Sequence, residues 1–180
     1  MKQTIIFLIA TLAISCSSCK KDVTPTDNNG LPAATQNGNN TLGFLLNGQP
    51  WTPQGNNGTA NLSIDVDFGF NQGVFGIAAY RIISSNYREY FGIGIKDSLN
   101  FVSIPSNLPM NKYSISNSRF STNTCDMSFY DTTVFRSGKL TITRLDKVNR
   151  IISGTFNTTL FEPSCGDTIR ITDGRFDMKF

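Results

Sequence analysis

The chain has 180 residues, with 16 Lys and Arg, 13 Asp and Glu, no His, and a formal net charge of +3. A balance this small, with no basic cluster beyond Lys20-Lys21, excludes the electrostatic footprint of a nucleic-acid-binding protein. The absence of histidine excludes His-dependent catalytic triads, His-ligated zinc and imidazole pH switches. We expect no cofactor and no nucleic-acid partner.

The first residues resemble a lipoprotein export signal. Lys2 precedes an uncharged run over residues 5–14, which is long enough for the apolar part of a signal peptide and too short to span a bilayer. A small residue and a cysteine follow, as in the bacterial lipobox, in which the cysteine is acylated and the preceding peptide is removed. We therefore predict a lipid anchor, which holds stably with two or more acyl chains; an ordinary secreted protein is the alternative.

Two cysteines compete for the lipid. Cys16 has an aliphatic residue and Ala13 before it and fits the lipobox better, whereas Cys19 is followed by the charged residues typical of a mature lipoprotein. The predicted signal peptide is residues 1–15 with Cys16 as the acylated residue, or alternatively residues 1–18 with Cys19.

Residues 16–40 are rich in Asn, Gly, Pro and Thr and carry few large apolar groups. Such a segment cannot offset the entropy lost on ordering, so we predict a flexible tether over 16–40. The remaining 41–180 is long enough for one domain with a substantial core.

The apolar pattern of 41–180 has a period of two. Residues 59–70 alternate between apolar and polar without interruption, which predicts a half-buried strand of an antiparallel sheet. Residues 74–83 return after a turn. A further strand contains residues 91, 93 and 95, with Gly92 and Gly94 on the opposite face under an aromatic side chain.

The C-terminal third predicts two hairpins. Residues 138–145 and 150–161 flank a four-residue loop, and Asp173-Gly174 is typical of a two-residue type I′ turn. That second turn would place Arg170 opposite Asp177 on the outer face. With about nine strands and no convincing helix, the sequence predicts an all-β antiparallel sandwich of jelly-roll or immunoglobulin-like type.

Three segments resemble a group of Bacteroidota lipoproteins known only as domains of unknown function. They are NGQPWT at 47–52, GKLTITRLDKVNRIISGTF at 138–156 and DTIRITDGRFDMKF at 167–180. The resemblance implies a lipid-anchored, all-β protein of the outer membrane, either periplasmic or surface-exposed. It implies no catalytic residues.

Cys125 and Cys165 are the only thiols of 41–180. Export delivers the chain to an oxidising compartment, and both cysteines stand beside polar turn residues, so we predict a disulfide between them.

Carboxylates and aromatic side chains supply the other candidate sites. Asp65 and Asp67 share one polar strand face and are weak candidates for Ca²⁺ ligands or for acid/base glycoside hydrolysis, weighed against an ordinary solvated face. Trp51 is the candidate for stacking on a sugar, together with the tyrosines, although aromatic residues of a β-domain are more often core. Ser98 and Thr132 follow aspartates in a pattern similar to Bacteroidota O-glycosylation acceptors.

These features predict an outer-membrane or cell-surface lipoprotein that acts as a non-enzymatic binding or scaffold module. Its expected partners are the membrane, through the lipid anchor, and a glycan or an envelope protein. The alternative is a glycan-active enzyme that uses Asp carboxylates.

Overall fold

The computed structural model describes residues 26–56, 58–128 and 131–180. The predicted signal peptide and the two candidate lipidation sites, Cys16 and Cys19, lie outside these residues. Within the described part the fold is an antiparallel β-sandwich of eleven strands in two sheets, with two short 3-10 helices, Phe70–Gln72 and Leu99–Phe101. The predicted all-β sandwich is confirmed, and the strand count exceeds nine because it includes three strands of only two or three residues.

Six strands form the larger sheet. They are β1 (Thr41–Leu46), β2 (Gln49–Trp51), β6 (Leu108–Pro109), β9 (Phe135–Asp146), β10 (Ile151–Phe161) and β11 (Thr168–Lys179). Their order across the sheet is β2-β1-β11-β10-β9-β6.

Five strands form the second sheet. They are β3 (Leu62–Asp67), β4 (Val74–Ser84), β5 (Tyr87–Ile95), β7 (Ser116–Ser121) and β8 (Asp126–Met127), in the order β3-β4-β5-β7-β8. β3 alternates between half-buried and exposed residues as its sequence pattern predicts, because only one face of the sheet lies against the core.

Aromatic rings from both sheets fill the centre of the sandwich. Phe44 stacks on Trp51 with ring centroids 4.6 Å apart, and it also packs 4.6 Å from Phe91 of the opposite sheet. Phe91 in turn stacks on Phe156 at 5.2 Å. Alternate apolar residues of both sheets therefore point into one shared core.

The predicted hairpin in 138–161 is confirmed. β9 and β10 pair antiparallel, and Asp146 is opposite Ile151, so the loop is residues 147–150, one position later than predicted. Asp146 Oδ1 accepts hydrogen bonds from the backbone N–H groups of Val148 and Asn149, which is the usual role of an aspartate at the start of a turn.

The predicted turn at Asp173-Gly174 is wrong. β11 runs without interruption from Thr168 to Lys179 and pairs with β1 on one side and β10 on the other. The positive φ of Asp173, 52°, belongs to a bulge in this strand. Asp177 consequently lies opposite Ser153 of β10 and not opposite Arg170.

The predicted tether also requires correction, because residues 26–40 pack on the outer face of the six-stranded sheet. We call this segment the strap. Leu31 is completely buried, Asp27 forms an ion pair with Arg175 of β11 at 2.6 Å, and Pro32 lies directly over Gly43 of β1. The polar composition wrongly predicted flexibility, because the strap is held mainly by hydrogen bonds and not by apolar packing. The ordered domain therefore includes 26–40.

Asp177 is the main attachment point of the strap. Its carboxylate is 1 % exposed and accepts hydrogen bonds from Thr35 Oγ1 at 2.6 Å and from the backbone N–H groups of Asn37 and Gly38 at 2.9 and 2.8 Å. Asn39 N and Ser153 Oγ donate two more, at 3.2 and 2.8 Å. A buried carboxylate is stable only with such a set of donors.

Cys125 and Cys165 form the predicted disulfide, with Cα atoms 5.7 Å apart. Cys125 directly precedes β8 of the five-stranded sheet, and Cys165 lies between β10 and β11 of the six-stranded sheet. The bond therefore joins the two sheets covalently.

Candidate functional site

Trp51, the predicted sugar-stacking residue, is a core residue. It is completely buried, stacks on Phe44, and donates a hydrogen bond from Nε1 to Glu89 Oε2 at 2.7 Å. Glu89 is also buried and accepts a second hydrogen bond from Arg81 Nε at 2.7 Å. A side chain enclosed in this way cannot stack on a ligand, so the prediction for Trp51 is wrong.

Two tyrosines occupy the outer face of the five-stranded sheet instead. Tyr80 of β4 and Tyr90 of β5 are directly opposite each other, and their ring centroids are 5.0 Å apart. Both project outward because the intervening residues of each strand point into the core. Their rings are half-buried, so part of each remains available at the surface.

Arg119 of β7 completes this tyrosine pair. Its guanidinium carbon lies 5.3 Å from the centre of the Tyr90 ring, within the range of a cation–π contact. Arg119 Nε and Nη2 also bind the two carboxylate oxygens of Asp126 on β8, at 2.9 and 2.5 Å. This bidentate pair fixes the guanidinium plane and thereby the position of the tyrosine ring.

A shallow trough runs beside the tyrosine pair, with a floor made of Gly76, Ala78, Gly92 and Gly94. Gly76 pairs with Gly94, and Ala78 pairs with Gly92. A Cβ atom at Gly76 would have no neighbour within 4 Å, so the floor is open there. At Gly92 a Cβ atom would lie 2.6 Å from Tyr90 Oη, because the tyrosine lies over this glycine as predicted.

Two adjoining depressions make up the surface around the trough. The larger, of about 590 Å³, is lined by the tyrosine pair and by polar groups of β7 and the following turn. The smaller, of about 240 Å³, extends over the glycine floor towards Asp65 and Asn117. Tyr90 and Arg119 border both depressions, so they stand at the centre of one continuous surface.

The two titratable groups at the centre of this surface, Tyr90 and Arg119, each keep one protonation state near neutral pH. Burial raises the pKa of the Tyr90 phenol, and the neighbouring Tyr80 raises it further. The hydrogen bonds from Arg119 to Asp126 raise the pKa of the Arg119 guanidinium. The phenol therefore remains a neutral hydrogen-bond donor beside a permanent cation.

The two candidate carboxylates of β3 have different surroundings. Asp67 Oδ1 accepts the backbone N–H groups of Gly69 and Phe70 at 2.8 and 3.1 Å, so it caps the turn that follows β3. Asp65 is exposed and lies at one end of the trough. Among the described residues, no group of three or more acidic, cysteine or histidine side chains is arranged to hold a metal ion.

The two candidate glycosylation sites lie in turns. Ser98 precedes the 3-10 helix Leu99–Phe101 with a φ of 64°, and its hydroxyl donates to Asp97 Oδ1 at 2.6 Å. Thr132 is exposed before β9. Modification of either residue remains a prediction.

Comparison of the chain with known family models, curated proteins and solved structures finds no match. The resemblance to Bacteroidota lipoproteins therefore remains a prediction. The described part of the chain also has no helix with the length and apolar character needed to cross a bilayer.

Proposed function

We propose that the protein is a lipid-anchored, non-enzymatic glycan-binding module of the outer membrane or cell surface. The observation that carries the proposal is the pair of half-buried tyrosines, Tyr80 and Tyr90, beside a shallow trough whose glycine floor is open at Gly76. Aromatic rings next to a few fixed polar groups are the usual elements of a small-molecule binding surface.

The chemistry of a sugar fits this surface. One side of a pyranose ring presents C–H groups that pack on an aromatic face, and its edge presents hydroxyl groups that need hydrogen-bond partners. The tyrosine rings provide the first contact. Ser121, Thr122 and Asn123 of the larger depression provide the second. The small residues of the floor allow a polymer chain to lie close to the sheet.

A glycan fits better than an envelope protein, the other predicted partner. The buried centre of a protein–protein interface is usually apolar and depleted in acidic groups, although tyrosine and arginine are common there. Here the centre is the charged pair Arg119–Asp126, and the larger depression is lined mainly by polar side chains.

The position of the strap is compatible with anchoring. The chain that leads to Cys16 and Cys19 joins the described domain at Thr26, beside the outer face of the six-stranded sheet. The trough lies on the outer face of the other sheet, away from the point at which the chain enters the described domain.

Affinity electrophoresis of the full mature chain in gels containing neutral and acidic polysaccharides tests glycan binding. We expect retardation by at least one polysaccharide, and about a tenfold loss of affinity for each of Tyr80→Ala and Tyr90→Ala, in line with loss of a stacking contact. Tyr113→Ala is the matched control, because Tyr113 is 85 % exposed in the turn before β7 and lines neither depression. Equal binding by all variants would contradict the proposal, and release of new reducing ends would favour the enzyme alternative.

Fractionation of cells that express cysteine variants tests the anchor. Replacing both Cys16 and Cys19 by Ala should move the protein from the membrane to the soluble fraction, because the acyl chains supply the membrane affinity. The single variants identify the acylated residue. Retention of the double variant in membranes washed with high salt would show that no lipid anchor is needed.

A further inference from the structure

The tyrosine end of the trough carries a cation that has no partner among the described residues. Arg88 of β5 lies two residues from Tyr90 and is exposed. Its side chain forms no ion pair and no hydrogen bond with the described residues. The neighbouring arginines differ, since Arg81 is paired with Glu89 and Arg119 with Asp126.

The backbone that carries Arg88 is fixed from two sides. Its N–H donates to Asn123 Oδ1 at 3.2 Å, and the amide of Asn123 donates back to the carbonyl oxygen of Asn86. Across the sheet, Arg88 is paired with Ile82 of β4. The guanidinium, which has no partner among the described residues, therefore projects from a backbone held in place by hydrogen bonds.

Arg88 also stands where three depressions meet. It lines the depression of the tyrosine pair, a second of about 690 Å³ that includes Tyr87, and a third of about 140 Å³ next to residues 59–61. A group bound to its guanidinium would remain in contact with a sugar placed on Tyr80 or Tyr90. At about 3.3 Å per strand residue, Arg88 and Tyr90 are roughly 7 Å apart along β5.

The acidic groups near the trough do not neutralise Arg88. Asp126 is held by Arg119, and Glu89 is buried against Trp51 and Arg81. Asp65 faces Gly76, which faces Gly94, six residues along β5 from Arg88 and thus about 20 Å away. The tyrosine end of the trough is therefore positive, and its far end carries the exposed acid.

We infer that the ligand of the tyrosine pair is an acidic glycan, whose carboxylate or sulfate group binds the free guanidinium of Arg88. This inference rests on the proposed glycan-binding function. Arginine is suited to this contact because its planar fork donates two parallel hydrogen bonds to carboxylate or sulfate oxygens.

Two pairs of polymers test the inference with the full mature chain. Polygalacturonate is compared with the same polymer after reduction of its carboxyl groups, and dextran sulfate is compared with dextran. We expect the acidic member of at least one pair to bind at least about tenfold more tightly than its neutral form, as one charge-assisted contact provides. Arg88→Gln should remove this preference, by lowering the affinity for the acidic polymer to about that for its neutral form.

Arg170→Gln is the matched control. Arg170 is also an exposed strand arginine whose side chain has no ion pair within the described residues, but it belongs to the six-stranded sheet. Its replacement should change binding less than twofold. Equal losses at Arg88 and Arg170 would indicate non-specific attraction and overturn the inference.

The remaining outcomes separate this inference from the proposed function. Equal binding of acidic and neutral polymers, lost in Tyr80→Ala, would overturn the acidic ligand and keep the glycan-binding module. No binding to any polysaccharide would overturn both. Whichever acidic polymer depends on Arg88 identifies the bound group as carboxylate or sulfate.

Discussion

The two outer faces of the sandwich differ in what covers them. On the six-stranded sheet, the strap buries Asp177 to 1 % exposure and surrounds it with donors. On the five-stranded sheet, Asp65 also projects outward from a strand, but it remains exposed and makes no side-chain hydrogen bond with the described residues. The same side chain is thus structural under the strap and available for contacts on the open face.

The arginines of the two faces differ in the same way as the carboxylates. Arg175 of the covered face is used internally, since it pairs with Asp27 of the strap at 2.6 Å. Arg88 of the open face has no such partner in the described chain. The polar groups of the covered face stabilise the fold, and those of the open face remain free to bind a ligand.

The disulfide offers the largest effect on stability, because it connects the sheets that carry these two faces. Replacing Cys125 and Cys165 by Ser opens a loop with a sequence separation of 40. The loop entropy predicts a loss of about 3–4 kcal/mol and a melting temperature lower by on the order of 10 °C. Thermal unfolding followed by circular dichroism, with and without reductant, measures it.

The same experiment contains its own control. Reductant should lower the melting temperature of the wild type to that of the double variant and leave the variant unchanged. If unfolded, unreduced wild type shows two reactive thiols in 41–180, the bond does not form in the protein.

Removal of the carboxylate that holds the strap should have the next largest effect. Asp177→Asn replaces a charged acceptor of five hydrogen bonds by an amide that cannot accept them all. We expect a loss of about 2–3 kcal/mol in urea unfolding and faster proteolysis within the strap. Asp173→Asn is the control, because Asp173 is exposed and asparagine tolerates its positive φ of 52°.

The same carboxylate predicts a dependence on pH. Burial raises the pKa of Asp177, but hydrogen bonds from Thr35, Asn37 and Gly38 lower it more, so the folded-state pKa lies below the ordinary value of an aspartate. Its contribution to stability is therefore complete above the unfolded pKa and is lost as the pH falls through about 4 and below. In Asp177→Asn this part of the acid destabilisation should be absent; an unchanged pH profile would contradict the role given to Asp177.

Local sequence patterns predicted the features that depend on neighbouring residues. Strict alternation over 59–70 located β3, two flanking apolar runs located the β9–β10 loop to within one residue, and the disulfide followed from a predicted export signal and a single pair of thiols in 41–180. β3 and the loop can be located without information about a distant segment. The disulfide requires only that the two cysteines lie close together in the fold.

The errors arose where a distant segment decides the outcome. Asp173-Gly174 has the residues of a turn, but β1 pairs with β11 on both sides of this point, and the positive φ becomes a bulge. Trp51 is buried because Phe91 and Glu89 of the opposite sheet pack against it. The tyrosine pair depends on the register between Tyr80 and Tyr90, which the apolar residues on both faces of 74–83 did not reveal.

Gly43 on the covered face and Gly76 on the open face allow a direct comparison of the two faces. Substitution of Gly76 has the smallest expected effect on stability. A Cβ atom at Gly43 would lie 2.6 Å from Pro32 Cδ in the strap, whereas one at Gly76 on the trough floor would meet nothing within 4 Å. Gly43→Val must therefore displace the strap, at a loss of about 1–3 kcal/mol. Gly76→Val should leave stability unchanged or raise it by up to about 1 kcal/mol, because valine favours strands.

Urea unfolding and polysaccharide binding, measured on both variants, should give opposite results. Gly43→Val should lose stability and keep its affinity, because the strap lies on the face away from the trough. Gly76→Val should keep its stability and lose affinity, since the new side chain stands where the polymer would lie. If Gly76→Val binds as tightly as the wild type, the glycine floor is not part of the binding surface. If Gly43→Val is as stable as the wild type, the strap is not held tightly against β1.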